Sequence, residues 1–255
     1  MNPPQAEARD SLGWRAKFAV VAPSTNTSVQ PEYDSMRPRG VTNHFSRIAI
    51  PDTRVTDDAS FMAMLENIRA ATSEAVDAAM SMDPDDLVMG MSAETFWDGA
   101  EGAARMHAAL QAQTGKKVAM GSHAVDAALA KFGSIKRIAI ITPYMPVGDQ
   151  QVQGYFEDCG YEVLALKGLK CASPRLIAHE SETVLKRAVE EVNDAQVEAI
   201  VQCGTNLAFA RVAGLAEFWL EKPVIAINTA TWWWALRSNG IDDKVSGYGR
   251  LLEDH

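Results

Sequence analysis

Arg137-Ile138-Ala139-Ile140-Ile141-Thr142 runs into Pro143-Tyr144-Met145-Pro146, and Glu198-Ala199-Ile200-Val201-Gln202 later runs into Cys203-Gly204-Thr205-Asn206-Leu207-Ala208-Phe209. The first half of the chain has the same outline. Phe18-Ala19-Val20-Val21-Ala22 meets Pro23-Ser24-Thr25-Asn26, and Asp86-Leu87-Val88-Met89 meets Gly90-Met91-Ser92-Ala93-Glu94-Thr95-Phe96. Pro143 to Cys203 is 60 residues and Pro23 to Gly90 is 67. A third pair keeps the order: Val118-Ala119-Met120-Gly121-Ser122-His123 and Val224-Ile225-Ala226-Ile227-Asn228-Thr229. Short apolar runs without alternation, separated by helical patterns, are the mark of strands buried on both faces of a parallel sheet. The expected fold is therefore α/β, with two similar Rossmann-like parallel-sheet domains related by pseudo-twofold symmetry. Ligands of such sheets gather at the carboxyl ends of strands. The two sets of strand ends should face one cleft, and only the second half brings a cysteine there.

The boundaries follow from the repeat. Residues 15–124 form a first α/β domain, to which 230–255 return, residues 125–229 form a second, and 1–14 read as a flexible arm. Helical spacing is clear in Phe61, Met64, Leu65, Ile68 and Ala71, and again in Val184, Leu185, Ala188, Val189 and Val192. Val125 to Gly133 reads as a short helix. Trp232-Trp233-Trp234 lies early in a helix ending near Asn239-Gly240, and three adjacent helical positions point to different faces, so core and interface packing is expected. The tail Gly247 to Leu252 is expected to pack back on the first half, and His44 to open a strand from Phe45 to Ile50.

The 255 residues carry 47% hydrophobic and 22% charged side chains with a net charge of −9, ordinary for a globular protein. That balance excludes the clustered Lys and Arg of a nucleic-acid footprint. No run reaches the roughly 18 apolar residues of a membrane span, and the start MNPPQAEARDSLGW lacks a signal-peptide core, so the cytoplasm is the expected compartment. Cys159, Cys171 and Cys203 are odd in number and lack metal-ligand spacing, as do the five histidines, so free thiols and no metal are expected. There is no P-loop, dinucleotide fingerprint or nucleophile elbow, which points to chemistry without a cofactor.

Cys203 carries the strongest chemical signal. It ends a buried strand, and a helix is expected to start near Thr205 or Asn206. The dipole of that helix and the N–H groups of Gly204 and Thr205 would favour a thiolate that alkylates fastest of the three. Asn26 in the Pro23-Ser24-Thr25-Asn26 turn either donates to a substrate carboxylate or caps the next helix. Tyr144 could present its phenol to the cleft or pack inside. Ser92 faces Cys203 across the pseudo-dyad and would suit an oxyanion or an N-cap. Glu94 and Asp98, four apart, read as solvated charge. Phe45, Phe96 and Trp97 suggest room for an apolar group.

With these residues in place, the chain resembles the aspartate/glutamate racemase superfamily, within it the branch of maleate cis–trans isomerases and arylmalonate decarboxylases. The stretches that carry the resemblance are APSTNTSVQPEY at 22–33, VMGMSAETFWDG at 88–99, ITPYMPVGDQQVQGYFEDCGYEV at 141–163, VQCGTNL at 201–207 and GYGRLL at 247–252. The resemblance implies an active site between two domains, no metal or organic cofactor, and a small carboxylic or dicarboxylic acid as substrate. Racemases of the superfamily use two cysteines on opposite faces. The second falls on Cys203, and the first falls on Gly90, with Met91 the nearest alternative. Arylmalonate decarboxylases resemble this chain in having glycine there. The resemblance then implies a decarboxylase in which Cys203 protonates an enediolate held by Ser92, Tyr144, Gly204 and Thr205, with Ser24, Asn26, Gly90, Met91 and Asn206 completing the substrate site. Met91 stands where those decarboxylases carry a hydroxyl residue, and the turn ending at Asn26 is closer to the isomerases. An isomerase is the alternative, and a non-catalytic carboxylate-binding protein a third. Self-association through the tryptophan-rich helix is a further expectation.

Overall fold

The computed structural model describes residues 10–255. Eight parallel strands form two four-stranded sheets, among the described residues. The first contains β1 (Ala16–Pro23), β2 (Val41–Ile48), β3 (Asp86–Met89) and β4 (Lys117–Ala119) in the order β2-β1-β3-β4. The second contains β5 (Arg137–Thr142), β6 (Glu162–Gly168), β7 (Ala199–Gln202) and β8 (Val224–Ala226) in the order β6-β5-β7-β8. Strand for strand, the two orders are the same, so the two halves share one topology. The inner strands β1, β3, β5 and β7 are buried almost throughout, which is why they read as uninterrupted apolar runs.

Each crossover is helical. In the first half these are α1 (Val29–Ser35), α2 (Asp58–Met80) and α3 (Gly99–Thr114). In the second they are α5 (Pro146–Asp158), α6 (Glu182–Val192) and α7 (Ala210–Leu220). Sequence explains where several start. Asp57 and Ser60 form a reciprocal capping box at α2, Ser181 caps α6, and Pro146 occupies the first turn of α5, where its missing N–H costs nothing. The apolar stripe of α2 buries Phe61, Met64, Leu65 and Ile68 against the first sheet.

After each fourth strand the chain crosses between halves. Helix α8 (Ile227–Ser238) leaves the second sheet and packs on the first half: Trp232 stacks on Tyr33 at 4.9 Å, meets Phe18 edge-on at 5.4 Å and donates its indole N–H to the Met36 carbonyl. Helix α4 (Gly121–Leu129) leaves the first sheet in the reciprocal direction, and its Asp126 accepts from Tyr161 of the second half. Trp232 and Trp233 are therefore internal packing groups. Among the described residues, the large apolar side chains left exposed are instead Leu12 and Trp14 near the start and Leu215, Phe218 and Trp219 on α7.

Three local expectations change, and one strand is new. Strand β2 begins at Val41, so His44 lies inside it. Strand β6, with its short apolar run Val163-Leu164-Ala165-Leu166, is an edge strand, half-buried along almost its whole length. The tail forms α9 (Arg250–Asp254) against α7 and α8: Arg250 donates its backbone N–H to Glu217, and Arg237 donates to the His255 carbonyl. Of the arm, residues 1–9 lie outside the described residues, whereas 10–14 are fastened down. Asp10 accepts from the Leu12 and Gly13 N–H groups, and Arg15 N–H bonds to the Gly40 carbonyl. No helix among the described residues is long and apolar enough to cross a membrane.

Candidate active site

The two strand registers identify which residues oppose each other. Met89 pairs with Val21, and the next residue, Gly90, donates its N–H to the Val21 carbonyl at 2.7 Å. In the second half Gln202 pairs with Ile141, and Cys203 donates to the Ile141 carbonyl at 2.9 Å. Gly90 and Cys203 therefore occupy the same place in their respective sheets. Met91 is one residue further out, which removes it as the counterpart of the cysteine.

Beyond these strand ends lies a narrow cleft between the halves, about 490 Å³ when the space open to solvent at its mouth is included. Asn26, Met91, Ser92, Tyr144, Gly204, Thr205 and Asn206 all line it. Its polar groups bond to each other across the gap. The Ser92 hydroxyl lies 2.7 Å from the Tyr144 phenol and accepts from the Thr205 N–H at 3.0 Å. The Thr205 hydroxyl donates to the Gly90 carbonyl at 3.1 Å and accepts from the Asn26 amide at 3.0 Å. Asn206 accepts from the Thr27 and Ser28 N–H groups and donates to the Pro174 carbonyl. Burial pushes the Tyr144 phenol far above its ordinary range, so it stays protonated and able to donate.

Asn26 performs both of the roles open to it. Its carbonyl oxygen accepts the Ser28 and Val29 N–H groups at the start of α1, which leaves its NH2 for the opposite half. Ser24 is different. Its hydroxyl exchanges hydrogen bonds with the Ile50 backbone, at 3.1 Å each way, and it does not line the cleft. It fastens the segment after β2 instead.

Cys203 lies beneath the cleft wall. Its side chain is fully buried, while the neighbouring Gly204 and Thr205 form part of the surface. It is close enough to Tyr144 that a negative charge on the sulfur would raise that phenol's pKa. The thiolate expectation is overturned: burial pushes the Cys203 thiol well above its ordinary value. The cause is local. Residues 203–209 form a loop, and α7 starts only at Ala210. The N-terminus of that helix meets Glu32, whose carboxylate accepts the Ala210 N–H at 2.9 Å. The dipole assigned to the sulfur therefore faces a buried carboxylate. Cys203 is also not the most reachable thiol, since Cys159 is only half-buried. Gly204 holds φ +125°, and a Cβ there would strike the Pro143 ring, so the turn after the thiol requires glycine.

Three groups escape a reading of the sequence alone. Glu32 and Asn228 bond at 2.6 Å, and the same Asn228 NH2 donates to the Thr205 carbonyl at 2.9 Å, fixing the loop from behind. Burial raises Glu32 to about 7. Glu94 is buried against the cleft, where the four-residue spacing to Asp98 had implied solvent: Ala93–Phe96 is a 3-10 turn that directs it inward to Arg69. The apolar wall comes from Ile50, Met64, Ile68, Met91 and Ile177. Phe96 packs on Tyr155 and Phe156, Phe45 on Tyr33, and Trp97 lines an outer groove, so none of these three aromatic side chains lines the cleft. No group of three or more His, Cys, Asp and Glu side chains among the described residues is arranged to hold a metal ion.

Two like α/β halves close hydroxyl, amide and phenol groups over one buried thiol, the arrangement implied by the resemblance to the aspartate/glutamate racemase superfamily. Residues 19–252 match the arylmalonate decarboxylase family, and the chain belongs to it. A maleate isomerase of Pseudomonas putida is 25% identical over 248 residues, covering 92% of this chain and 96% of that protein. Among solved structures, a mutant Nocardia farcinica maleate cis-trans isomerase with a covalently bound succinylcysteine intermediate superposes with a TM-score of 0.84. It is 22% identical, over 94% of this chain and 98% of that one. A glycine-to-cysteine, cysteine-to-serine double mutant of arylmalonate decarboxylase, in its liganded form, gives a TM-score of 0.78 at 18% identity over 94% and 99%. These likenesses establish the shared fold. The protein is an enzyme of this family, a lyase or an isomerase.

Proposed function

We infer that the protein is a decarboxylase-like lyase acting on a small malonate-type carboxylic acid, with Cys203 as proton donor. The observation that carries this reading is the register match between Cys203 and Gly90, by which the second half has a thiol at the strand end where the first half has none. A substrate carboxylate entering the cleft exchanges places with the internal hydrogen bonds, taking up donors from Ser92, Tyr144, Asn26 and the Thr205 N–H. The bond from the α-carbon to the departing carboxylate then breaks and CO2 leaves. Its electron pair spreads into the remaining carboxylate as an enediolate. Donors placed in advance in a site closed to water contribute about 3 kcal/mol each to such a charge. The Cys203 S–H gives its proton to the α-carbon, and water reprotonates the sulfur. A thiol held protonated by burial suits a general acid.

A cis–trans isomerase is the second reading. The comparisons support it at least as strongly, because the curated relative is a maleate isomerase, and Asn26 offers its NH2 to the cleft. In the Nocardia relative a cysteine carries the covalent succinyl group. On this chain Gly90 leaves the first half without a thiol at its strand end, so only Cys203 offers a sulfur for such a step.

The two readings separate in one experiment. Purified protein is given phenylmalonate and, separately, maleate, while CO2 release and fumarate formation are followed. CO2 release that disappears in Cys203→Ser, with thermal unfolding unchanged within about 1 kcal/mol, is the expected result. Fumarate without gas selects the isomerase. Undiminished turnover in Cys203→Ser removes the thiol from both mechanisms. In the native protein Cys159 is expected to alkylate before Cys203.

A further inference from the structure

Glu94 sits in the partition between the cleft and an outer groove, and lines both. Only 8% of the residue is exposed. One carboxylate oxygen, Oε2, accepts from Arg69 Nε at 2.6 Å, and Arg69 in turn lies over the Trp97 ring at 5.3 Å. Arg69 lines the groove and not the cleft, so the paired oxygen marks the groove side. The other oxygen, Oε1, is buried and has no hydrogen-bond partner. A buried acceptor left in that state costs on the order of 1–3 kcal/mol. Burial raises the pKa of this carboxyl, opposed by Arg69 and reinforced by Asp98, the two charged groups that act on it.

The rest of the wall facing the donor cluster is apolar, formed by Ile50, Met64, Ile68 and Met91. The donor cluster of Ser92, Tyr144, Thr205 and Asn26 has the chemistry to hold a carboxylate, and the far wall has one polar feature, an acceptor with nothing to accept. Resting on the carboxylate-binding reading above, we propose that Glu94 is a specificity-determining residue, and that the preferred substrate is a carboxylic acid whose far, apolar end carries an O–H or N–H donor for Glu94 Oε1. A second carboxylate at that end would meet a like charge in an apolar wall, and an unsubstituted apolar end would leave the acceptor unpaired. A distal donor resolves both.

Calorimetric titration of the native protein tests this with phenylacetate, 3- and 4-hydroxyphenylacetate and 4-methoxyphenylacetate, none of which can lose a malonate carboxylate. One of the hydroxy acids is expected to bind on the order of tenfold tighter than phenylacetate and the methoxy acid. Glu94→Leu is expected to erase that advantage while leaving phenylacetate within about twofold of its native affinity. Equal binding of all four acids by the native protein overturns the role of Glu94 and needs no variant to fold. An advantage that survives in Glu94→Leu overturns it as well. Failure of every acid to bind instead sinks the carboxylate-binding reading, and the inference with it.

Discussion

Replacing Gly90 by cysteine places a second sulfur where the fold puts the mate of Cys203, and its cost follows from the packing. A Cβ built on Gly90 lies 3.0 Å from the Ala22 methyl, 3.1 Å from Val20 Cγ1 and 3.2 Å from the Val21 carbonyl oxygen. Gly90 is not among the residues with positive φ, so the backbone accepts an L-residue and the whole cost is steric. Two of the three neighbours are a methyl fixed on the backbone and a carbonyl of the central strand β1, neither of which can swing aside. Overfilling a packed interior by one small group costs about 1–3 kcal/mol. For a chain of this size that lowers Tm by about 2–12 °C, at roughly 2–4 °C per kcal/mol. Gly90→Ala should show most of the same loss, because the Cβ makes the close contacts. The functional consequence belongs to the sulfur alone. With an enantiopure 2-arylpropanoate in deuterated water, the native protein should exchange the α-proton from one face without scrambling configuration. Gly90→Cys should exchange from both faces and racemise, and Gly90→Ala should not. A folded Gly90→Cys protein that still exchanges from a single face would refute the placement of Gly90 opposite the thiol across the substrate. An unchanged Tm in both variants would refute the packing argument.

Glu32 gives the pH dependence. Its pKa is raised by burial from 4.5 to about 7, so the carboxyl contributes its full stability below pH 4.5 and loses it as pH rises through about 7. A shift of that size corresponds to about 3 kcal/mol. The unfolding free energy of Glu32→Gln minus that of the native protein should therefore grow by about that amount between pH 4.5 and 8, and a flat difference in urea titrations would exclude the shift. The same variant should weaken acid binding. A glutamine NH2 facing the Asn228 NH2 forces one amide to turn: if Asn228 turns, the Thr205 carbonyl loses its donor, and if the new amide turns, the Ala210 N–H at the end of the same loop loses its acceptor. Gly204→Ala combines a φ of +125° with a Cβ driven into the Pro143 ring, whose Cγ would lie 2.7 Å away. Its loss should reach roughly 2–6 kcal/mol by urea unfolding, and a loss under about 1 kcal/mol would show that the turn can rearrange.

The fold was legible because its central strands are buried on both faces. Residues 18–22, 87–89, 138–141 and 199–201 are apolar runs, and their spacing exposes the repeat before any contact is known. Edge strands carry a weaker mark: in β6 the short apolar run Val163-Leu164-Ala165-Leu166 is flanked by Glu162 and Lys167, and nearly every position is only half-buried. The site was legible to the extent that its residues follow strand ends. Asn26, Ser92, Tyr144, Gly204, Thr205 and Asn206 all do, and all reach the cleft. What failed was the inference from a residue's own neighbours to its electrostatics. Cys203 looked like a thiolate because a helix was expected to begin two or three residues later, yet the loop to Phe209 is held out by side chains from the other half: Glu32 at the Ala210 N–H, and Ser28, which donates to the Asn206 carbonyl. Glu94 looked solvated because the other wall of its pocket lies on α2, Arg69 included.

The first of these failures has a cause that bears on the chemistry. In this two-half enzyme several cleft residues are held by groups from the half that does not contain them, although Glu94 pairs with Arg69 of its own half. Tyr144 is held by Ser92, Thr205 by Asn26 and Gly90, and Asn228 by Glu32. Each pair joins a donor from one repeat to an acceptor from the other, so a bound acid competes with the hydrogen bonds that hold the halves together. Substrate binding and closure of the cleft then draw on the same groups. A substitution that weakens one of these cross-half bonds should change apparent affinity for the acid even where it never touches it, with Glu32 the clearest case, two hydrogen bonds removed from Thr205.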